Sequence, residues 1–211
     1  NTDNYNSTEV YVGGIAGQIV DGSLITLNSL NDKGIQNYGV VYIQESNNNH
    51  FGTEHLVSIW IGGIAGSADC KTISTKLSNF GKINVNSNAS ELRCGGLFGY
   101  LRTSSASSLF NKGLIKVSNL NRNTTDDRSQ MYVGGVCGQA ECDMSIMANE
   151  QDITVSCDLA SNINSYIGGI TGVIAGNINQ SYNAKNISYV SKDGDIAYIG
   201  GLVGLSCKSA H

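Results

Sequence analysis

Along this chain apolar and polar positions alternate in short runs, and the runs recur. YVGGIAG at 11–17 returns as WIGGIAG (60–66), RCGGLFG (93–99), YVGGVCG (132–138), YIGGITG (166–172) and YIGGLVG (198–204). The first glycines, Gly13, Gly62, Gly95, Gly134, Gly168 and Gly200, lie 49, 33, 39, 34 and 32 residues apart. A period near 34 that runs from end to end marks one unit stacked on copies of itself, a single repeat domain over 1–211.

A second register lies between the GG motifs: NDKGIQN (31–37), NFGKINV (79–85), NKGLIKV (111–117), NEQDITV (149–155) and NAKNISY (183–189). Its isoleucines, Ile35, Ile83, Ile115, Ile153 and Ile187, each fall four residues after an asparagine, at Asn31, Asn79, Asn111, Asn149 and Asn183. Ile-x-Val has the period of a strand, which sends alternate side chains to one face. GG to Asn spans 15 to 18 residues and Asn to the next GG spans 16 to 31, so insertions should collect after the Ile-x-Val strand. No unit carries helical periodicity.

Each unit therefore predicts a strand at GG, a corner, a short polar-apolar strand such as KTISTKL, an Asn corner and the Ile-x-Val strand. Short strands stacked about 4.8 Å apart, turn upon turn, make an all-β parallel β-solenoid of five to six coils. A propeller blade would need about 40 residues and four strands, more than these units hold. Stacking turns like positions into columns. Val12, Ile61, Cys94, Val133, Ile167 and Ile199 precede GG, and Ile15, Ile64, Leu97, Val136, Ile170 and Leu202 follow it; both columns are assigned to the core. Tyr11, Trp60, Arg93, Tyr132, Tyr166 and Tyr198 should face outward, with the Arg93 guanidinium flat between Trp60 and Tyr132. The glycine pair permits a corner that side chains would block.

The pattern Tyr-x-Gly-Gly-[Ile/Leu]-x-Gly followed by Asn-x-x-x-Ile-x-Val resembles the GLUG-type repeats of secreted and cell-surface proteins, over nearly the whole chain. The GG half matches at all six sites; the glycine common in the second register stands only at Gly34, Gly81 and Gly113. That resemblance implies an extracellular repeat region used in surface layers or adhesion, with no cofactor and no catalytic residues to carry over.

Composition fits such a coil. Proline is absent, Gly numbers 26 and Asn 24, and charged residues make up only 14%. Proline cannot donate to a strand ladder, whereas Gly and Asn tolerate tight corners. A net charge of -4 argues against nucleic acid, and no apolar stretch approaches the ~20 residues of a membrane span. Cys70, Cys94, Cys137, Cys142, Cys157 and Cys207 form an even set without CxxC spacing, which favours disulfides over zinc and over the alternative of buried free thiols. Cys70–Cys94 is the pairing expected first; closing a loop of about 24 residues would stabilise by roughly 3 kcal/mol. The other four cysteines allow three pairings. Asn6, Asn88, Asn123, Asn179 and Asn186 are N-glycosylation acceptors, with Asn123 favoured for its long loop. Cysteines and acceptors together point outside the cell.

Enzymatic constellations are thin. Asp126 with Asp127 and His50 with His55 read as loop residues, and GGIAG lacks the helix that would hold a phosphate. Thr-bearing stretches at 25–29 and 72–75 do not continue as the ladder that ice binding requires. No cofactor is expected. The chain carries no amphipathic helix at either end and stops after YIGGLVGLSCKSAH, one strand into a sixth turn. It is therefore expected to bind itself head to tail, the Tyr198–Leu205 strand (with Ile199 and Leu202) beside Tyr11–Gln18 (with Ile15) of the next subunit, rising about 25 Å per five turns. The alternative is a fragment of an adhesin for a cell-surface glycan or protein, through the aromatic face or the variable loops.

Overall fold

The computed structural model describes residues 7–25, 33–44, 56–119, 129–157, 163–191 and 195–207. These residues form strands and turns with no helix, arranged as three parallel sheets wound into a β-solenoid. The first sheet stacks Ser7–Gly13, Leu56–Gly62, Glu91–Gly95, Gln130–Gly134, Asn164–Gly168 and Ile196–Gly200. The second stacks Ala16–Ile25, Ala65–Ser74, Phe98–Asn111, Cys137–Asn149, Thr171–Ala175 and Val203–Cys207, extended towards the next corner by short strands such as Leu77–Asn79 and Tyr182–Asn183. The third holds five strands: Val41–Gln44, Ile83–Ser87, Ile115–Asn119, Ile153–Cys157 and Ile187–Ser191.

Each GG heptad straddles a corner. Its first three residues end a strand of the first sheet, the second glycine and the following apolar residue turn the chain, and the rest opens the second sheet. The glycines are there because backbone occupies the space a side chain would need. A Cβ on Gly134 would lie 1.9 Å from the Cys137 carbonyl, and one on Gly135 would lie 2.0 Å from the Gly169 carbonyl and against the Asn149 side chain. Like residues pair as the columns predict: Tyr11 with Trp60, Trp60 with Arg93, Tyr132 with Tyr166, Ile115 with Ile153.

The first unit departs from its expected register. Asn37, not Asn31, pairs with Asn79, and Val41, not Ile35, pairs with Ile83. Asn31 itself lies outside the described residues. The reason is local. In the NDKGIQN frame, the second inward position of the third sheet would be Asn37, a polar side chain in the core. In NYGVVYI (37–43) the two inward positions are Val41 and Ile43, which match Ile83 and Val85. Gly13 to Asn37 is then 24 residues, so the first unit carries extra chain before its Asn corner as well as after it.

The interior divides into two apolar clusters. One lies against the second sheet and the GG corner, with Ile64, Leu97, Phe98, Leu101, Leu109, Val136, Met147 and Ile170 all essentially inaccessible. The other fills the space between the first and third sheets, with Ile61, Leu92, Ile115, Met131, Val133, Val155 and Ile167. Volume is exchanged across it from rung to rung: where Met131 gives way to Ser165, Val155 gives way to Tyr189, whose hydroxyl reaches Ser165 at 3.4 Å. Both GG-flanking columns are buried through the four inner rungs. At the outer rungs they emerge: Ile15 is 53%, Ile199 49% and Leu202 37% exposed, so these three are not core within one chain.

Before the Asn corner runs a column in the left-handed region: Gly34 (φ 67°), Ser108 (φ 61°), Ile146 (φ 57°) and Gln180 (φ 47°). Lys76, aligned with Gly34 and Ser108, escapes it. Ile146 is the poorest fit, because a β-branched side chain in this region costs roughly 1–2 kcal/mol and this one is exposed. Ile146→Asn is expected to raise stability by about 0.5–1 kcal/mol, seen as a higher denaturant midpoint at unchanged slope.

Candidate functional site

Two ladders run the length of the coil, one inside and one outside. The inner one is made of amides. Asn37, Asn79, Asn111, Asn149 and Asn183 stand one above another at the corner between the second and third sheets. Each Nδ2 donates to the carbonyl two residues on, as Asn111 does to Gly113 at 2.8 Å. The first four donate their other hydrogen to the next asparagine's Oδ1: Asn37 to Asn79, Asn79 to Asn111, Asn111 to Asn149 and Asn149 to Asn183, at 2.8–3.0 Å. The Oδ1 atoms of Asn37, Asn79 and Asn111 also accept the backbone N–H two residues on, from Gly39, Gly81 and Gly113. An amide is the smallest side chain that donates twice and accepts twice. That is why asparagine, rather than serine or aspartate, holds the position.

The outer ladder follows the groove where the first two sheets meet. Tyr132, Tyr166 and Tyr198 stack face to face at 5.3 and 5.2 Å. Arg93 sits as expected between Trp60 and Tyr132, its guanidinium carbon 5.0 and 5.2 Å from the ring centres. Nε donates to Gln139 at 2.7 Å and Nη2 pairs with Glu91 at 2.7 Å. Tyr11 meets Trp60 edge-on at 4.5 Å. Tyr132 and Tyr166 are covered on both faces by the rungs on either side, so a sugar laid along them would find edges rather than faces, whereas Tyr198 at the end of the stack is 46% exposed. Burial pushes the Tyr132 phenol up to about 12, and burial with the Glu141 carboxylate does the same to Tyr100. Tyr11 also stands near about 12, through burial and its hydrogen bond to Glu9.

The cysteines are a correction. All six are free thiols, and Cys70 and Cys94 do not pair. Parallel strands send them into different interiors. Cys94 lies between Ile61 and Val133 in the cluster under the first sheet, whereas Cys70 belongs to the cluster under the second. Cys137 and Cys142 share Cys70's cluster, Cys157 shares that of Cys94, and Cys207 is exposed at the last rung. Burial drives the Cys94 thiol up to about 12 and the Cys137 thiol well above its ordinary value. Burial and then the Asp143 carboxylate bring Cys142 to about 12. Such thiols stay protonated and behave as small apolar fillers of their columns.

Of the glycosylation acceptors, Asn179 and Asn186 are exposed on the fifth rung and Asn88 is half-buried; Asn6 and Asn123 lie outside the described residues. So do His50, His55, Asp126 and Asp127. A shallow depression of about 500 Å³ lies beside the left-handed column, lined by Ile73–Lys76, Ser107, Ser108 and Phe110. Its one cation, Lys76, rests over the Phe110 ring at 4.9 Å. Ser108's left-handed backbone is shared by its column, so it reflects corner geometry rather than a strained nucleophile. Among the described residues no three His, Cys, Asp or Glu side chains converge as metal ligands, and no helix is long and apolar enough to cross a membrane.

Fold and ladders together define a parallel β-solenoid with an internal amide spine. Comparison with protein-family models, with curated proteins and with solved structures finds no match in any of the three.

Asn111→Leu would strand the Asn79 amide, the Asn149 carbonyl oxygen and the Gly113 backbone in a dry corner. A loss of about 3–5 kcal/mol is expected in chemical denaturation. Alkali should act through the tyrosines. Unfolded phenols ionise near 10, while Tyr132, Tyr100 and Tyr189 hold their protons to about 12. A raised folded value means stability is intact below 10 and lost as pH climbs towards 12. Phenolate absorbance of these residues should therefore appear together with loss of the β-sheet circular dichroism signal, not before it.

Proposed function

We propose that this chain is a non-enzymatic structural glycoprotein of the cell exterior, a solenoid subunit that stacks head to tail into a fibre or surface layer. The observation that carries the reading is the single direction of the backbone bonds at the GG corner. Gly14 N–H donates to Gly62, Gly63 to Gly96, Gly96 to Gly134, Gly135 to Gly168 and Gly169 to Gly200. Ile15, Ile64, Leu97, Val136 and Ile170 repeat the pattern one residue on, each donating towards the following rung. The corner of the last described rung thus presents the N–H groups of Gly201, Leu202 and Val203, and that of the first presents the carbonyls of Gly13 and Ile15. One end offers donors where the other offers acceptors. Ile199 and Leu202 at one end and Ile15 at the other are the exposed continuations of buried columns, and Tyr198 and Tyr11 end the aromatic ladder. A second copy covers both sets at once, and a contact between unlike ends propagates.

The exterior setting is supported by the exposed acceptors Asn179 and Asn186 and by a surface low in charge; the free thiols lend it nothing. Six strands stack in the first sheet, so a continuous junction gives a rise of about 29 Å per subunit rather than the 25 Å that five turns implied. A glycan-binding adhesin gains no support from the middle of the aromatic groove, where both faces of Tyr132 and Tyr166 are already covered.

Negative-stain imaging of purified protein tests the reading, with filaments of that axial repeat expected. Alternate residues of a strand turn both backbone groups to the same neighbour. With the Gly200 carbonyl turned to Gly169, Ile199 turns its own to the open edge. Ile199→Pro should therefore abolish or shorten filaments while the circular dichroism of the coil is kept. Native protein that stays monomeric at high concentration would overturn the proposal, as would filaments that form equally well from the variant.

A further inference from the structure

Positive charge is unevenly placed along the chain. Residues 71–90 and 102–119 hold six of its thirteen basic residues and none of its seventeen acidic ones. The six are Lys71, Lys76, Lys82, Arg102, Lys112 and Lys116. The two stretches are the same part of two neighbouring rungs, from the second sheet round the Asn corner and along the third. Stacking therefore gathers the six on one flank of the coil. Lys116 faces out because Ile115 and Val117 on either side of it face in. Lys76 stands between Gly34 and Ser108, Lys82 between Val40 and Leu114, and Lys116 between Asn84 and Thr154. No carboxylate adjoins any of the three in its column.

The carboxylates that border this belt are already engaged. Asp69 pairs with Arg102, and Glu150 pairs with Lys112 at 3.2 Å while accepting from Tyr182 at 3.1 Å. Asp143 accepts from Asn177, and Asp152 from the Asn186 backbone N–H, at 2.8–3.0 Å. Lys71, Lys76, Lys82 and Lys116 are exposed and make no ion pair among the described residues. Lys76 also borders the depression of about 500 Å³, whose floor carries the hydroxyls of Ser74, Ser107 and Ser108. We propose that this flank binds a linear acidic polysaccharide, with its sulfates or carboxylates on the lysines and its sugar hydroxyls on the serines of the depression. Each lysine offers a compact point charge on a flexible stem, which suits acid groups spaced along a chain. Serine hydroxyls both donate and accept, which suits a ligand whose neutral groups do the same. Nucleic acid fits less well, because its bases need open ring faces to stack on. Phe80 is covered by Tyr38, stacked at 4.7 Å, on one side and faces Lys112 at 5.9 Å on the other, while Lys76 lies 4.9 Å over Phe110. The belt lies on the side of the stack, so it does not depend on head-to-tail assembly.

Two labelled probes test the site by fluorescence anisotropy: a heparin oligosaccharide, which carries sulfates and carboxylates, and a heparosan oligosaccharide of the same length, which carries carboxylates alone. Saturable binding of at least one is expected, and the ratio of the two affinities tells sulfate from carboxylate. Affinity should fall at least ~10-fold between about 50 and about 300 mM salt, because exposed charges are screened. The variant Lys76→Glu/Lys82→Glu/Lys116→Glu alters exposed side chains only, so its circular dichroism and thermal midpoint should match the native protein. Its binding should weaken at least ~10-fold. Lys185→Glu, on the fifth rung, should bind as the native protein does. The proposal is overturned if neither saccharide saturates, or if the triple variant binds as tightly as the native protein. It is overturned equally if polyglutamate or single-stranded DNA of matched charge binds as tightly as the better saccharide. Filaments are scored separately: saccharide binding by a protein that stays monomeric would sink the fibre reading and keep the site, and filaments that bind neither saccharide would do the reverse.

Discussion

A buried amide must find two acceptors and two donors or it destabilises the fold, and in this coil that requirement is met only by another copy of the same rung. Asn111 is held from below by Asn79, from above by Asn149 and sideways by Gly113. No member of the spine is satisfied by its own turn alone. The corner therefore fixes register: a slip by one residue would replace an amide by Phe80 or Lys112 in a space lined by backbone. Register in turn brings like side chains into columns, and the columns make two dry interiors. The second glycine of the first five GG pairs belongs to the same constraint, since its missing Cβ is what lets the next corner's asparagine approach.

The spine also gives the coil a direction. Side-chain amides and the backbone N–H groups of the GG corner donate towards the C-terminal end, whereas backbone N–H groups just after the Asn corner donate towards the N-terminal end. The two faces of the stack are thus chemically distinct and complementary, unlike the two edges of a symmetric sheet. Steric fit is equally directional. Where a rung places Arg93 in the aromatic groove, the rungs on either side supply Trp60 and Tyr132, and the stack closes around the charge with Glu91 and Gln139 as its polar partners.

Solenoid energetics are nearest-neighbour energetics, and this explains which residues look out of place. Ile15, Ile199 and Leu202 are sound core residues by column and exposed ones by position, because each lacks a neighbour on one side. The thiols show the opposite case. Cys94 stands between Ile61 and Val133 and Cys137 between Phe98 and Thr171, and burial keeps both protonated, so each acts as a small apolar filler of its column.

Much of this could be read from the chain alone. The GG period, the inward alternation of Ile-x-Val, the aromatic column and the place of Arg93 within it are repeats of local chemistry, and a stacked repeat turns sequence spacing directly into contact. The amide column was visible as a recurring Asn, but not its bonds, because hydrogen bonding between residues 32 to 42 apart is set by the corner's three-dimensional path. The first unit's register needed the tertiary structure, since Asn31 and Asn37 both begin plausible frames and only the core, which rejects Asn37 and accepts Val41 and Ile43, chooses. The thiols needed it too: an even number of cysteines allows pairing, but which interior each strand faces decides whether two sulfurs can meet. Sequence thus determined what repeats, because repetition is local; the structure decided what touches across the interior, because that depends on where the corners send the chain.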